Sequence, residues 1–144
     1  MTLFCTLGYA AVLYAGTITT GWHTSQDISG PSTELQTCRD GFGGRVAFGE
    51  QWVQVGPQFG QTWPISGLWS ITAQIHGGLG YSNTHHPSTG VRQVTKFNAG
   101  VSVSLNYGRC GLKIGGDHMS NGRGHDPTNA GQDLWSAGVG CSIF

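Results

Sequence analysis

Between residues 69 and 82 the odd positions carry Trp69, Ile71, Ile75, Leu79 and Tyr81, and the even positions carry Ser70, Thr72, Gln74, His76 and Ser82. Side chains alternate across a strand, so a period of two places one set on each face and argues against helix. Residues 95 to 107 repeat the pattern, with Phe97, Val101, Val103, Leu105 and Tyr107 against Lys96, Asn98, Ser102, Ser104 and Asn106. So do residues 53 to 63, where Val53, Val55, Phe59 and Trp63 oppose Gln54, Gln58 and Thr62. The pattern predicts strands at 3–14, 17–25, 41–50, 51–62, 67–82, 92–107, 109–121 and 131–144. Short turns are expected at Pro64 to Gly67 and Tyr107 to Arg109, and longer loops at Ser82 to Gly90 and Asn121 to Ala130.

Composition then decides which face points where. Only 10% of the 144 residues are charged, there are 25 glycines, and the formal net charge is zero. A soluble domain carries roughly 25% charged residues and would clothe the outer face of such a sheet with them. Here the polar face is mostly Gly, Ser, Thr, Asn and Gln, which suits the narrow interior of a small closed barrel. The expected fold is therefore all-β, a single domain over residues 1–144. It is an antiparallel up-and-down eight-stranded β-barrel whose apolar face looks outward, into lipid or onto apolar protein partners. A soluble barrel or sandwich is the alternative. No uninterrupted apolar run reaches the roughly 18 residues of a transmembrane helix, and no basic face suggests a nucleic-acid partner.

The two ends are read less simply. Counting strands backward puts the long segment from Gln26 to Asp40 on the short-turn side, so either the first strands are assigned wrongly or residues 42–62 form one bulged strand. A switch of apolar parity between Phe48 and Val53 is what a bulge would produce. Residues 1–15 are either a first strand with Leu3, Cys5, Leu7, Tyr9 and Leu13 outward, or an uncleaved signal-like segment lacking the usual positive start. At the other end Phe144 is preceded by Ser142, Gly140 and Gly138 where an outer-membrane barrel would carry apolar residues. These features keep a bacteriophage virion open as an alternative to the outer membrane.

Chemistry concentrates in the last hairpin. His118 and Ser120, two apart on a strand, share a face, which sets a possible base beside a possible nucleophile. With the turn near His125 and Asp126, antiparallel pairing places Asp133 opposite His118, completing a Ser/His/acid set. The same register places Cys110 opposite Cys141, within disulfide range. By elimination Cys5 would pair with Cys38, and four cysteines favour an oxidising compartment or an extracellular particle.

The run His118-Met119-Ser120-Asn121 followed by an acid at the start of the last strand resembles the outer-membrane lipid A 3-O-deacylases, small eight-stranded barrel esterases. The resemblance is sharp over residues 109 to 144. It implies that Ser120 is the nucleophile, His118 the general base, Asp133 the group that orients His118, and Asn121 an oxyanion donor. The substrate would be lipid A or a related acylated lipid, with no metal or cofactor. The family's acid is usually glutamate, and the loop here is about one residue longer. Histidines 23, 76, 85, 86 and 125 show no metal-ligand spacing, and neither a Gly-x-Ser-x-Gly elbow nor a phosphate-binding loop occurs. The alternative function is a non-catalytic structural or interaction barrel, such as a phage virion component with a deacylase-like fold.

Overall fold

A computed structural model describes residues 16–25, 28–37, 40–85, 92–94, 96–121 and 131–143. Nine strands occur in these residues: β1 (Thr17–Thr24), β2 (Ser29–Gln36), β3 (Gly41–Gly49), β4 (Trp52–Ser66), β5 (Trp69–His85), β6 (Arg92–Val94), β7 (Phe97–Tyr107), β8 (Cys110–Ser120) and β9 (Gln132–Ser142). All pairings are antiparallel between chain neighbours, except that β5 also pairs with β7 around β6, and β1 pairs with β9. The β1–β9 ladder closes the sheet into an eight-stranded up-and-down barrel. The ninth strand, β6, extends the far end of β5 beyond the wall.

Several sequence-based boundaries change. The expected strand at 3–14 lies outside the described residues. The eight-strand count is met instead by β2, inside the segment first read as a long connection. Residues 42–62 are not one bulged strand. Phe48 and Val53 face each other across a tight hairpin, Gly49 pairing with Trp52, and it is this turn that switches the apolar parity. Pro64 lies within β4, where a register shift between Pro64 and Ser66 precedes the turn at Gly67. Strand β5 runs on to His85, and the expected strand 92–107 is divided into β6 and β7. With β2 included the sides alternate consistently: the connections after β1, β3, β5 and β8 lie at one end of the barrel, and those after β2, β4 and β7 at the other.

The polarity is inverted relative to a soluble protein. Adjacent residues on β8 show it: Lys113 is 7% exposed and Ile114 65%. Leu112, Trp135, Val139 and Ile143 are likewise outward and exposed. Phe97 and Tyr107, at opposite ends of β7, mark two aromatic levels, and the Tyr107 ring lies 5.1 Å from that of Trp69. Ten residues of strand tilted by roughly 40° separate the levels by about 26 Å, close to the apolar height of a membrane barrel.

The lumen is filled by a charged and amide network. Glu34 Oε2 lies 3.0 Å from Arg45 Nε as an ion pair and contacts Lys113 Nζ and the Gln36 amide. Arg45 Nη1 donates to Gln54 Oε1 at 2.6 Å, and Nη2 reaches Asp117 Oδ2 at 3.5 Å, while Asp117 Oδ1 lies 2.5 Å from His76 Nε2. Gln36 and Gln74 exchange amide hydrogen bonds at 3.1 and 3.0 Å. Two carboxylates thus meet two cations, and each buried charge has an opposite charge beside it, as burial demands. A small apolar cap of Ile28, Ala47, Trp52, Met119 and Leu134 closes the network toward the end where β8 finishes and β9 begins.

Closure itself depends on glycine. A Cβ on Gly21 would overlap the Ala137 carbonyl oxygen and lie 2.5 Å from Gly138 Cα, so β1 and β9 meet at a paired Gly21 and Gly138. Gly21→Val should therefore leave the seam open, seen as loss of the compact, heat-modifiable band on unheated SDS gels; a normal folded band would refute this account of closure. Arg45→Met removes the cation shared by Glu34 and Asp117 and should lower unfolding stability by about 3–5 kcal/mol, measured by denaturant titration in lipid vesicles. A loss below roughly 1 kcal/mol, the scale of an exposed ion pair, would show that the network does not hold the barrel together.

Candidate active site

Strands β8 and β9 form an unbroken ladder from Cys110 opposite Cys141 to Met119 opposite Gln132. Cys110 and Cys141 are joined by a disulfide, with Cα atoms 4.0 Å apart. Cys5 and Cys38 lie outside the described residues. In this register Leu112, Ile114, Gly116 and His118 point outward from β8, and Lys113, Asp117 and Met119 point into the lumen.

His118 and Asp133 are directly paired, and His118 Nδ1 lies 2.8 Å from Asp133 Oδ1. Their side chains are 58% and 72% exposed, so the pair sits on the outer wall rather than in the lumen. A carboxylate on Nδ1 fixes the ring orientation and leaves Nε2 as the nitrogen that can exchange a proton. Ser120 follows two residues along the same face, anchored where its carbonyl accepts from the Lys96 amide at 2.9 Å and where it pairs with Phe97. Asn121, half-buried, comes directly after β8. The structure thus joins His118 to Asp133 by a hydrogen bond and sets Ser120 and Asn121 at the same strand end. Chemically this is an imidazole oriented by a carboxylate and opening outward, with Ser120 on the same face but not hydrogen-bonded to the ring.

Two pairs below His118 and Asp133, at the next outward-facing pair, the outer wall is hollowed. Gly116 has no side chain, and a Cβ there would lie 3.0 Å from the Trp135 ring, so the indole leans over the glycine. Around it a groove of about 370 Å³ is walled by Trp22, Val101, Val103, Ile114 and Trp135. Sequence reading identified the hairpin and missed this groove. Gly116, aligned by register with Trp135, was the available signal.

The remaining histidines are used elsewhere or lie beyond description. His23 is buried against Trp52, with ring centroids 5.0 Å apart, and His76 belongs to the lumen network. The side chains of His85, His86 and His125 are outside the described residues. Among the described residues no group of three or more His, Cys, Asp or Glu side chains could hold a metal ion.

No protein-family description and no curated protein matches the chain. Solved structures do match. The N-terminal β-barrel domain of Pseudomonas aeruginosa OprF superposes with a TM-score of 0.56 at 9% identity, covering 90% of this chain and 98% of that one. Neisserial surface protein A gives 0.51 at 10% identity over 90% and 95%. Ail, the attachment invasion locus protein of Yersinia pestis, gives 0.50 at 12% identity over 90% and 98%. All three are eight-stranded outer-membrane barrels, and at these identities the likeness is one of fold.

The disulfide closes a separation of 31 residues at the end of the hairpin remote from His118. Replacing both cysteines by serine should lower unfolding stability by about 3–4 kcal/mol in chain-entropy terms, with the β8–β9 register kept by its ladder. Non-reducing peptide mapping that failed to find Cys110 linked to Cys141 would contradict the pairing.

Proposed function

We propose that this chain is a serine esterase of the lipid A 3-O-deacylase kind, seated in the bacterial outer membrane and hydrolysing an ester-linked acyl chain of lipid A or a related lipid. The observation that carries the reading is the His118 Nδ1 to Asp133 Oδ1 hydrogen bond on the outward, apolar face, with Ser120 two residues along that face. Polar groups aimed into lipid lose their water, which is costly unless a polar partner meets them there. A lipid head group with its ester bonds is such a partner. The adjoining apolar groove beside Trp135 offers a place for the acyl chain.

In this mechanism His118 Nε2 takes the Ser120 hydroxyl proton as Oγ attacks the ester carbonyl carbon. The tetrahedral oxyanion accepts a hydrogen bond from Asn121, and collapse expels the sugar hydroxyl, to which His118 returns the proton. Water then attacks the acyl-Ser120 ester, again with His118 as base, and releases the fatty acid. Asp133 holds the ring throughout and stabilises the imidazolium.

Purified protein in detergent, incubated with lipopolysaccharide, should remove one acyl chain as read by mass spectrometry. Ser120→Ala should abolish this, His118→Asn should reduce it by roughly 10²–10⁴-fold, and Asp133→Asn should reduce it less than His118→Asn. An unchanged acyl pattern with wild-type protein, or full activity in Ser120→Ala, would end the esterase reading.

The second reading, a non-catalytic structural or interaction barrel, is favoured by the likeness to OprF, Neisserial surface protein A and Ail. On that reading the apolar belt is covered by membrane or by other subunits, a phage particle included. Cell fractionation separates the settings: outer-membrane recovery fits the first, and co-purification with particles in fixed ratio fits the last.

A further inference from the structure

Gly131 stands immediately before β9, and a Cβ built on it would collide with His118 Cε1 and lie 2.9 Å from Nε2 and 3.5 Å from Nδ1. The backbone of Gly131 therefore lies against the edge of the imidazole opposite to the one its own β8 backbone occupies. Continuing the β8–β9 ladder one pair beyond Met119 and Gln132 makes Gly131 the partner of Ser120. Side chains of directly opposed residues stand roughly 4.5–5.5 Å apart at Cβ. A side chain at 131 would thus fill the space beside Ser120, and the His118 ring occupies that space instead. Its Nε2, the nitrogen not engaged by Asp133, lies on the side of the ring toward this vacancy.

We propose that Gly131 is a positioning residue: its missing side chain admits the His118 imidazole into the place opposite Ser120, and its backbone, together with Asp133, holds the ring beside that residue. The role rests on the esterase reading for its consequence, though not for its geometry. Because the colliding group is the end of an exposed side chain rather than backbone, Gly131→Ala should displace His118 and leave the barrel intact. That makes the substitution a clean test.

Full-length wild type and Gly131→Ala are compared in the same detergent. Folding is checked by the heat-modifiable band and by the Cys110–Cys141 linkage. The two readouts are hydrolysis of lipopolysaccharide acyl esters and the downfield proton resonance of His118 Nδ1–H bound to Asp133, assigned by its absence in His118→Asn. Gly131→Ala is expected to lower kcat at least tenfold with KM little changed, and to erase or shift the Nδ1 proton signal in the folded protein. An active wild type whose Gly131→Ala variant keeps both kcat and the resonance overturns the positioning role while leaving the esterase intact. A wild type that hydrolyses nothing, with the resonance still lost in Gly131→Ala, removes the esterase reading and supports the positional one.

Discussion

The ladder between β8 and β9 is the constraint on which the rest depends. A slip of one residue in one strand turns that strand's side chains to the opposite face. Slipping β8 would place Leu112, Ile114 and His118 in the lumen and Lys113 and Asp117 in the apolar belt. It would part Cys110 from Cys141, separate His118 from Asp133, and withdraw Lys113 from Glu34 and Asp117 from His76 and Arg45. A disulfide at one end and a charge network along the inner face therefore oppose the same error. The His118 contact at the other end inherits its geometry from them, and contributes little by itself because it is exposed.

Inside and outside are linked by the same economy of space. Eight strands enclose a lumen that side chains alone can fill, and here the filling is hydrophilic, with Glu34, Arg45, Lys113 and Asp117 buried together. Buried ion networks stabilise weakly relative to apolar packing, yet breaking one member is costly. Such an interior specifies inter-strand positions more strongly than it adds net stability. The wall that results gives His118, Ser120 and Asp133 strand backbones as their base.

Legibility in the sequence followed the strength of alternation. Strands β5, β7, β8 and β9 carry clear two-residue segregation and were readable as strands, and placing the last turn near His125 and Asp126 gave the β8–β9 pairing. Strand β2 was not, because its sequence Ser-Gly-Pro-Ser-Thr-Glu-Leu-Gln has one large apolar residue, Leu35, and a proline. Proline usually argues against an interior strand. Pro31 is tolerated because β3 pairs with β2 only from Ser32 onward, so at Pro31 the strand is locally an edge facing only Trp22 of β1. The lumen network was illegible for a different reason: Lys113 and Glu34 lie 79 residues apart, and no local pattern encodes that meeting. The groove left only Gly116 opposite Trp135 as a signal, and the role of Gly131 left none, since both are made by absent side chains whose value appears only when the neighbouring strand is in place.

The identity of the acid follows from the same register. Directly opposed residues on antiparallel strands hold their Cβ atoms roughly 4.5–5.5 Å apart, a gap that the imidazole Nδ1 and a carboxylate bonded directly to Cβ can bridge. The 2.8 Å contact between His118 and Asp133 shows that aspartate spans it without distortion of the ladder. A glutamate at the same position would overreach and would have to fold back or bond from a diagonal position. The shorter acid is therefore not a weakened version of a longer one. It is the length that suits a direct cross-strand pair, and an acid of different length would require a different register or a different place on the strand.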